Sequence, residues 1–162
     1  MPSQLPWVVA PTIRKQTVSA TIDGQECSLE FPVYGALKGR ERVHIREHLY
    51  QAVVYRESSR LADALVGEGI EETKAQRLAI RVLSTRLGVP LPLDAEEQRI
   101  LLRHAPLIAD IQCVIAEEDE RQRVRTVAAV IIHRLPGCQD WTDDDVGNLP
   151  LPLQAAIFKF AE

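Results

Sequence analysis

The sequence predicts a mostly α-helical protein with a small N-terminal β-hairpin and an extended N-terminal arm. Apolar residues recur at helical spacing through the middle of the chain, an Asp-Gly pair separates two short alternating runs, and prolines interrupt the first fifteen residues. Because proline lacks an amide donor and favours extended backbone, residues 1–15 are expected to form the arm. The remaining residues, 16–162, fit a single helical domain with a core of ordinary size.

The hairpin is predicted over residues 17–31. Asp23-Gly24 stands between the two runs, and a two-residue turn of this kind needs the positive φ angles that Asp and Gly accept. Alternation gives each strand one apolar face, formed by Val18, Ala20 and Ile22 on the first strand and by Cys27, Leu29 and Phe31 on the second. A lone two-stranded hairpin is marginal in water, so we expect this face to pack on the helices or to extend a neighbour's sheet.

Two helices are predicted in the first half of the helical region. One runs over about residues 40–66 and ends at Gly67 and Gly69, and the other runs over about residues 71–87 and ends at Gly88. Helical spacing indicates the core residues Val43, Tyr50, Val54, Leu61 and Leu65 in the first helix and Leu78, Ile80, Val82, Leu83 and Leu87 in the second.

Capping signals place the helices of the second half. Asp94 with Glu97 predicts a capping box, followed by a helix to about His104, and Pro106 suits the start of the next. The acidic run 117–120 and the arginines after it predict one continuous helix through acid-to-base pairs four residues apart. Residues 127–132 are rich in β-branched side chains, yet their setting favours helix. Thr142 with Asp145 predicts a second capping box, and a final helix restarts near residues 149–152 and carries Phe158 and Phe160.

Composition excludes several classes of function. The net charge of −4 and the pI near 5.6 disfavour a nucleic-acid binder, which needs a basic footprint. No apolar run approaches the ~20 residues of a membrane-spanning helix, and no secretory signal is recognisable. Cys27, Cys113 and Cys138 form no paired motif and indicate buried free thiols in a reducing compartment. We therefore expect a cytoplasmic protein without a cofactor, a membrane or a nucleic-acid partner.

One motif points to an enzyme. His44-x-x-Glu47-His48 matches the inverted zincin pattern, in which two histidines one helical turn apart share a zinc ion and the glutamate polarises the bound water. A third ligand would have to come from far downstream, and Glu117 or Glu118 is available. Two histidines at this spacing are common on charged helix faces, so we predict no catalytic or metal-binding residue. A small intracellular metal-dependent hydrolase stays as an alternative.

Basic residues close to this motif have two interpretations. Arg40, Arg42 and Arg46 interleave with Glu41 and Glu47, which is typical of a solvated helix face. The alternative is a face that forms salt bridges to a partner.

Segments near both ends of the chain resemble the tail assembly chaperones of long-tailed bacteriophages. Residues 31–41 read FPVYGALKGRE, where a proline after a short β element leads to a charged helix start. Residues 140–150 read DWTDDDVGNLP, and residues 158–162 read FKFAE, which is similar to the Trp-Thr-acid segment, the Leu-Pro and the short aromatic helix that often close these proteins. The proline-rich arm is not a trait of that family.

The resemblance implies a non-catalytic protein that coats the helical tape-measure protein and recruits tail-tube subunits in the host-cell cytoplasm. A structural subunit of a phage tail, neck or baseplate is the alternative, and a homo-oligomer stays open. The apolar or aromatic residues nearest the two recognition-like ends are our candidate protein-binding residues: Trp141, Phe158, Phe160, Tyr34 and Leu37. Trp141 beside a helix cap fits either a core position or an interface anchor.

Overall fold

A computed structural model describes residues 14–34, 37–84 and 92–161 and divides the chain into two compact units. Unit 1 comprises Met1–Arg46 and Arg123–Glu162, and unit 2 comprises Glu47–Gln122. The mostly α-helical fold with an N-terminal hairpin is confirmed. The predicted arm lies outside the described residues as far as residue 13, and the single domain over residues 16–162 stays a prediction.

The hairpin of unit 1 consists of the antiparallel strands β1 (Lys15–Ile22) and β2 (Gln25–Pro32). Asp23 has φ 49° and Gly24 has φ 80°, so both turn residues adopt the left-handed backbone that a tight hairpin turn requires. The register pairs Val18 with Leu29 and Ala20 with Cys27, which brings the apolar residues of the two strands onto one face. The hairpin predicted over residues 17–31 is therefore confirmed and is slightly longer.

Three helices of unit 1 share a core with that apolar face: the C-terminal part of α5 (Ala105–Arg134), α6 (Asp143–Gly147) and α7 (Leu151–Ala161). Unit 1 also contains α1 (Gly39–Ile45). Residues 127–132 of α5 are all buried, which explains why a β-branched stretch is stable as a helix: tertiary packing outweighs the small propensity cost. The fully buried members of this core are Phe31, Val127, Ala128, Val130, Ile131, Val146 and Ile157.

All the regular secondary structure among the described residues of unit 2 is helical. This unit contains α2 (Glu47–Gly67), α3 (Glu72–Ser84), α4 (Ala95–Arg103) and the N-terminal part of α5. Its core is formed mainly by Leu61, Leu65, Ala75, Leu78, Ala79, Ile100, Leu101 and Ile111. Ion pairs join neighbouring elements of this unit. Arg81 of α3 lies 2.6 Å from Glu97 of α4, and Arg103 of α4 lies 2.9 Å from Glu68, the residue after α2.

The long helix predicted over residues 40–66 is wrong, because it breaks at Arg46. This residue has φ 53° and ψ 46°, so the chain leaves α1 in the left-handed conformation before α2 begins at Glu47. Helical periodicity carries no signal for such a break when the left-handed residue is neither Gly nor Asn. Two predicted core residues are also wrong, since Val43 and Ile80 are exposed.

The local helix signals are confirmed where the structure describes them. Asp94 accepts a hydrogen bond of 2.7 Å from the Glu97 amide, and the α5 helix runs unbroken through the charged stretch. The predicted end of the second helix at residues 87–88 lies outside the described residues. No helix within the described ranges combines the length and the apolar character needed to cross a membrane.

Candidate functional site

Trp141 is the most exposed of the five candidate residues, since 37% of its surface is exposed and the other four are half-buried. The backbone before it is fixed by a turn in which Gly137 has φ 83°. The Gln139 side chain closes this turn, because its oxygen accepts from the Gly137 amide at 2.9 Å and its nitrogen donates to the Leu135 carbonyl at 3.0 Å. The Trp141 amide itself donates to the carbonyl of Cys138 at 3.2 Å.

The backbone after Trp141 is fixed by the predicted capping box. The Thr142 hydroxyl oxygen accepts from the Asp145 amide at 3.2 Å, and the Thr142 amide donates to the Asp145 carboxylate at 2.8 Å. Hydrogen bonds from the Thr142 hydroxyl and amide lower the pKa of Asp145, so the carboxylate form that closes the box is favoured. Trp141 is thus presented from a backbone that is hydrogen-bonded on both sides.

Three of the other candidates pack against the core of unit 1. Leu37, Phe158 and Phe160 are half-buried against its buried residues. The Phe160 ring lies 5.2 Å from the Phe31 ring between centroids, with the planes tilted by 33°. Such aromatic pairs stabilise a core beyond their buried area. Packing against the core is therefore a structural role for each of these three residues. A direct contact with a partner stays a prediction for each of them.

Tyr34 lies beside two cations. The Lys38 ammonium nitrogen stands 3.6 Å from the centroid of its ring, and the Arg134 guanidinium carbon stands 5.1 Å away. The same Arg134 carbon is 5.5 Å from the Phe160 ring. These cation–π contacts place Tyr34 and Phe160 around one buried guanidinium. The sequence alone does not indicate that these three residues lie together.

Arg134 forms a buried, two-pronged ion pair with Glu41. Its Nε and Nη2 atoms donate to the two carboxylate oxygens at 2.6 and 2.9 Å, and its Nη1 donates to the Pro32 carbonyl at 3.3 Å. The Glu41 carboxylate also accepts from the Lys38 amide at 2.7 Å. Burial alone raises the pKa of Glu41, but the hydrogen bonds and charge of Arg134 and Lys38 outweigh it and hold the pKa below its ordinary value.

The zincin-like motif is not built as the pattern requires. His44 is in α1, while Glu47 and His48 follow the left-handed Arg46, so one continuous helix does not carry both histidines. His44 instead places its Nε2 at 2.7 Å from an Asp143 oxygen. Within the residues that the structure describes, no three His, Cys, Asp or Glu side chains are grouped to hold a metal ion. The hydrolase alternative, which assumed one continuous helix at these residues, stays a prediction.

A cavity of about 580 Å³ in unit 1 surrounds His44. Its lining comes from α1 and the residue after it, from α5 and from α6, and comprises Gly39, Arg40, Val43, His44, Arg46, Arg125, His133 and Asp143. The rings of His44 and His133 meet edge to face, with 5.6 Å between centroids. We call this feature the basic cavity, because three arginines and two histidines face a single carboxylate.

Comparison of the chain with protein-family models, with curated proteins and with solved structures found no match.

Proposed function

We propose that the protein is a non-catalytic assembly chaperone for the tail of a long-tailed bacteriophage or prophage. In this proposal it binds the tape-measure protein and tail-tube subunits in the host-cell cytoplasm and needs no cofactor. The exposed residue Trp141 carries the proposal, because the backbone on both sides of it is hydrogen-bonded and would lose little conformational freedom on binding. Tryptophan presented in this way is typical of the residues that dominate protein–protein affinity.

The position of the resembling segments supports the same proposal. Residues 31–41 and 140–162 are far apart in the chain, yet both belong to unit 1. The first segment supplies Tyr34 and Glu41, and the second supplies Trp141 and Phe160. Arg134 bonds to Glu41 and stands over the rings of Tyr34 and Phe160, so one buried cation links the two segments. A partner that binds both segments would therefore contact a single compact unit.

The test is co-purification with the two proposed partners. We expect the protein to hold a co-expressed tape-measure protein in solution and to bind the tail-tube subunit. Trp141→Ala should weaken the complex by about thirtyfold or more, because truncating an interface tryptophan typically removes more than about 2 kcal/mol of binding free energy.

Tyr55→Ala is the matched control, because Tyr55 is an exposed aromatic residue of unit 2. It should leave the complex intact if Trp141 acts as an anchor rather than as one apolar residue among many. Circular dichroism of both variants separates loss of binding from loss of fold. Unchanged affinity in a folded Trp141→Ala variant would remove Trp141 from the interface, and absence of any complex with either partner would contradict the proposed function.

A further inference from the structure

The basic cavity concentrates positive charge on an acidic chain. Arg40, Arg46 and Arg125 line it, while the only acidic lining residue among the described ones, Asp143, is already engaged by His44 at 2.7 Å. The whole chain carries a net charge of −4, so the positive charge of the cavity is opposite in sign to that of the protein as a whole. A volume of about 580 Å³ lies within the range typical of binding pockets and is large enough for more than one carboxylate group.

Two of these arginines are available for an external ligand. Arg40 and Arg46 are exposed, and neither forms an ion pair with any residue that the structure describes. The planar guanidinium group binds a carboxylate through two parallel hydrogen bonds, which makes arginine the preferred residue for this recognition. Their position at the lining of one cavity allows both to contact the same acidic segment.

Positive charge also acts on His133, which lines the cavity from α5. Burial lowers the pKa of His133, and the neighbouring His44, Arg40 and Lys38 lower it further, while Glu41 opposes them. The charge of Arg40 therefore acts on His133 in α5. An anion entering the cavity would be attracted by this charge.

We propose that the basic cavity binds the carboxylates of an acidic segment of a protein partner, with Arg40 and Arg46 as the principal ligands. Val43 lines the cavity and is 76% exposed. It therefore offers an apolar contact beside the charges for a hydrophobic side chain of the peptide. No Trp, Tyr or Phe is found among the described lining residues, so the stacking platform expected for a single-stranded nucleic acid is lacking there. The proposal rests on the proposed protein-binding function and adds the chemistry of the segment that is bound.

The experiment measures binding of a fluorescent peptide rich in Glu and Leu to the purified full-length protein. A matched peptide with every Glu replaced by Gln tests the need for carboxylates, and inorganic phosphate and an oligothymidylate of similar charge test the other anion classes. We expect the acidic peptide to bind, the Gln peptide to bind at least about tenfold more weakly, and added salt to weaken the binding.

Charge-removing variants locate the site. Arg40→Gln and Arg46→Gln should each weaken binding of the acidic peptide by about tenfold, which corresponds to one lost charge-assisted contact. Arg42→Gln is the matched control, because Arg42 is an exposed arginine of the same α1 helix that does not line the cavity. Its affinity should be that of the unmodified protein.

Three results would overturn the proposal: equal binding of the Gln peptide, equal weakening by Arg42→Gln and Arg40→Gln, or tighter binding of the oligothymidylate than of the acidic peptide. The co-purification described above is independent of this assay. A protein that still binds the tape-measure protein but ignores the acidic peptide would refute the cavity's role and leave the proposed function standing. Peptide binding without co-purification would support the role of the cavity and contradict the proposed function.

Discussion

Replacing Glu41 by Gln removes one charge from the buried ion pair of unit 1 and keeps the side chain close to its original size. Glu41 is completely buried and accepts hydrogen bonds from Arg134 Nε, Arg134 Nη2 and the Lys38 amide. In Glu41→Gln, the buried Arg134 guanidinium loses its counter-charge and one of its two carboxylate acceptors, and it keeps the remaining amide oxygen at position 41 and the Pro32 carbonyl. Removing one partner of such a pair typically costs about 3–5 kcal/mol.

That loss is a large part of the roughly 5–15 kcal/mol that stabilises an ordinary domain. Urea unfolding followed by circular dichroism measures it. Glu30→Gln is the control, because Glu30 forms an ion pair with Lys15 at 3.4 Å in which both side chains are mostly exposed, and its loss should cost less than about 1 kcal/mol. A similarly small loss for Glu41→Gln would mean that water screens the Glu41–Arg134 pair and that the pair adds little to stability.

The same ion pair makes a prediction about pH. The pKa of Glu41 lies below its ordinary value of 4.5, so the unfolded chain binds this proton more readily than the folded protein does. The contribution of the pair is therefore fully present above about pH 4.5 and is lost as the pH falls through the lower pKa of the folded state. The difference in unfolding free energy between the unmodified protein and Glu41→Gln should shrink over that acidic range. A constant difference would contradict the assigned pKa direction.

Two further predictions concern local backbone geometry. Thr142→Ala removes the hydroxyl that caps α6 and should lower the free energy of unfolding by about 1 kcal/mol, whereas Thr142→Ser, which keeps the hydroxyl, should lose little; equal stabilities would contradict the capping role. Arg46→Gly should raise the free energy of unfolding by about 1 kcal/mol, because Arg46 is left-handed with φ 53° and glycine adopts that backbone freely. The matched Arg42→Gly within α1 should instead lower it by a similar amount, and a loss in both variants would contradict the left-handed break.

Short-range chemistry explains what could be predicted from the sequence. The Asp23-Gly24 turn and the Thr142 and Asp94 capping boxes depend on residues within three positions of each other, so their signals are local. The unbroken α5 helix follows from acid-to-base spacing in the same way. The capping box after Trp141 is therefore correctly predicted from the sequence.

Long-range pairing explains what could not be predicted. Glu41 and Arg134 are 93 positions apart, and nothing in their local sequences indicates that they share a buried site. Arg40 and Arg46 fit a solvated face, and the cavity beside them forms only when α5 and α6 contribute His133 and Asp143. The same limit explains Val43, whose helical spacing indicated a core position although it is exposed.

The proposed role as an assembly chaperone can be tested by measuring the mass of the protein alone and in complex. Light scattering, with metal analysis of the same sample, would be made on the protein purified alone and after co-expression with tape-measure and tail-tube proteins. We expect a metal-free monomer or small oligomer that forms a soluble complex with the tape-measure protein. A large self-assembled ring or tube would instead support a structural tail subunit, and one zinc ion per chain would support the hydrolase. Either result would rule out the chaperone role.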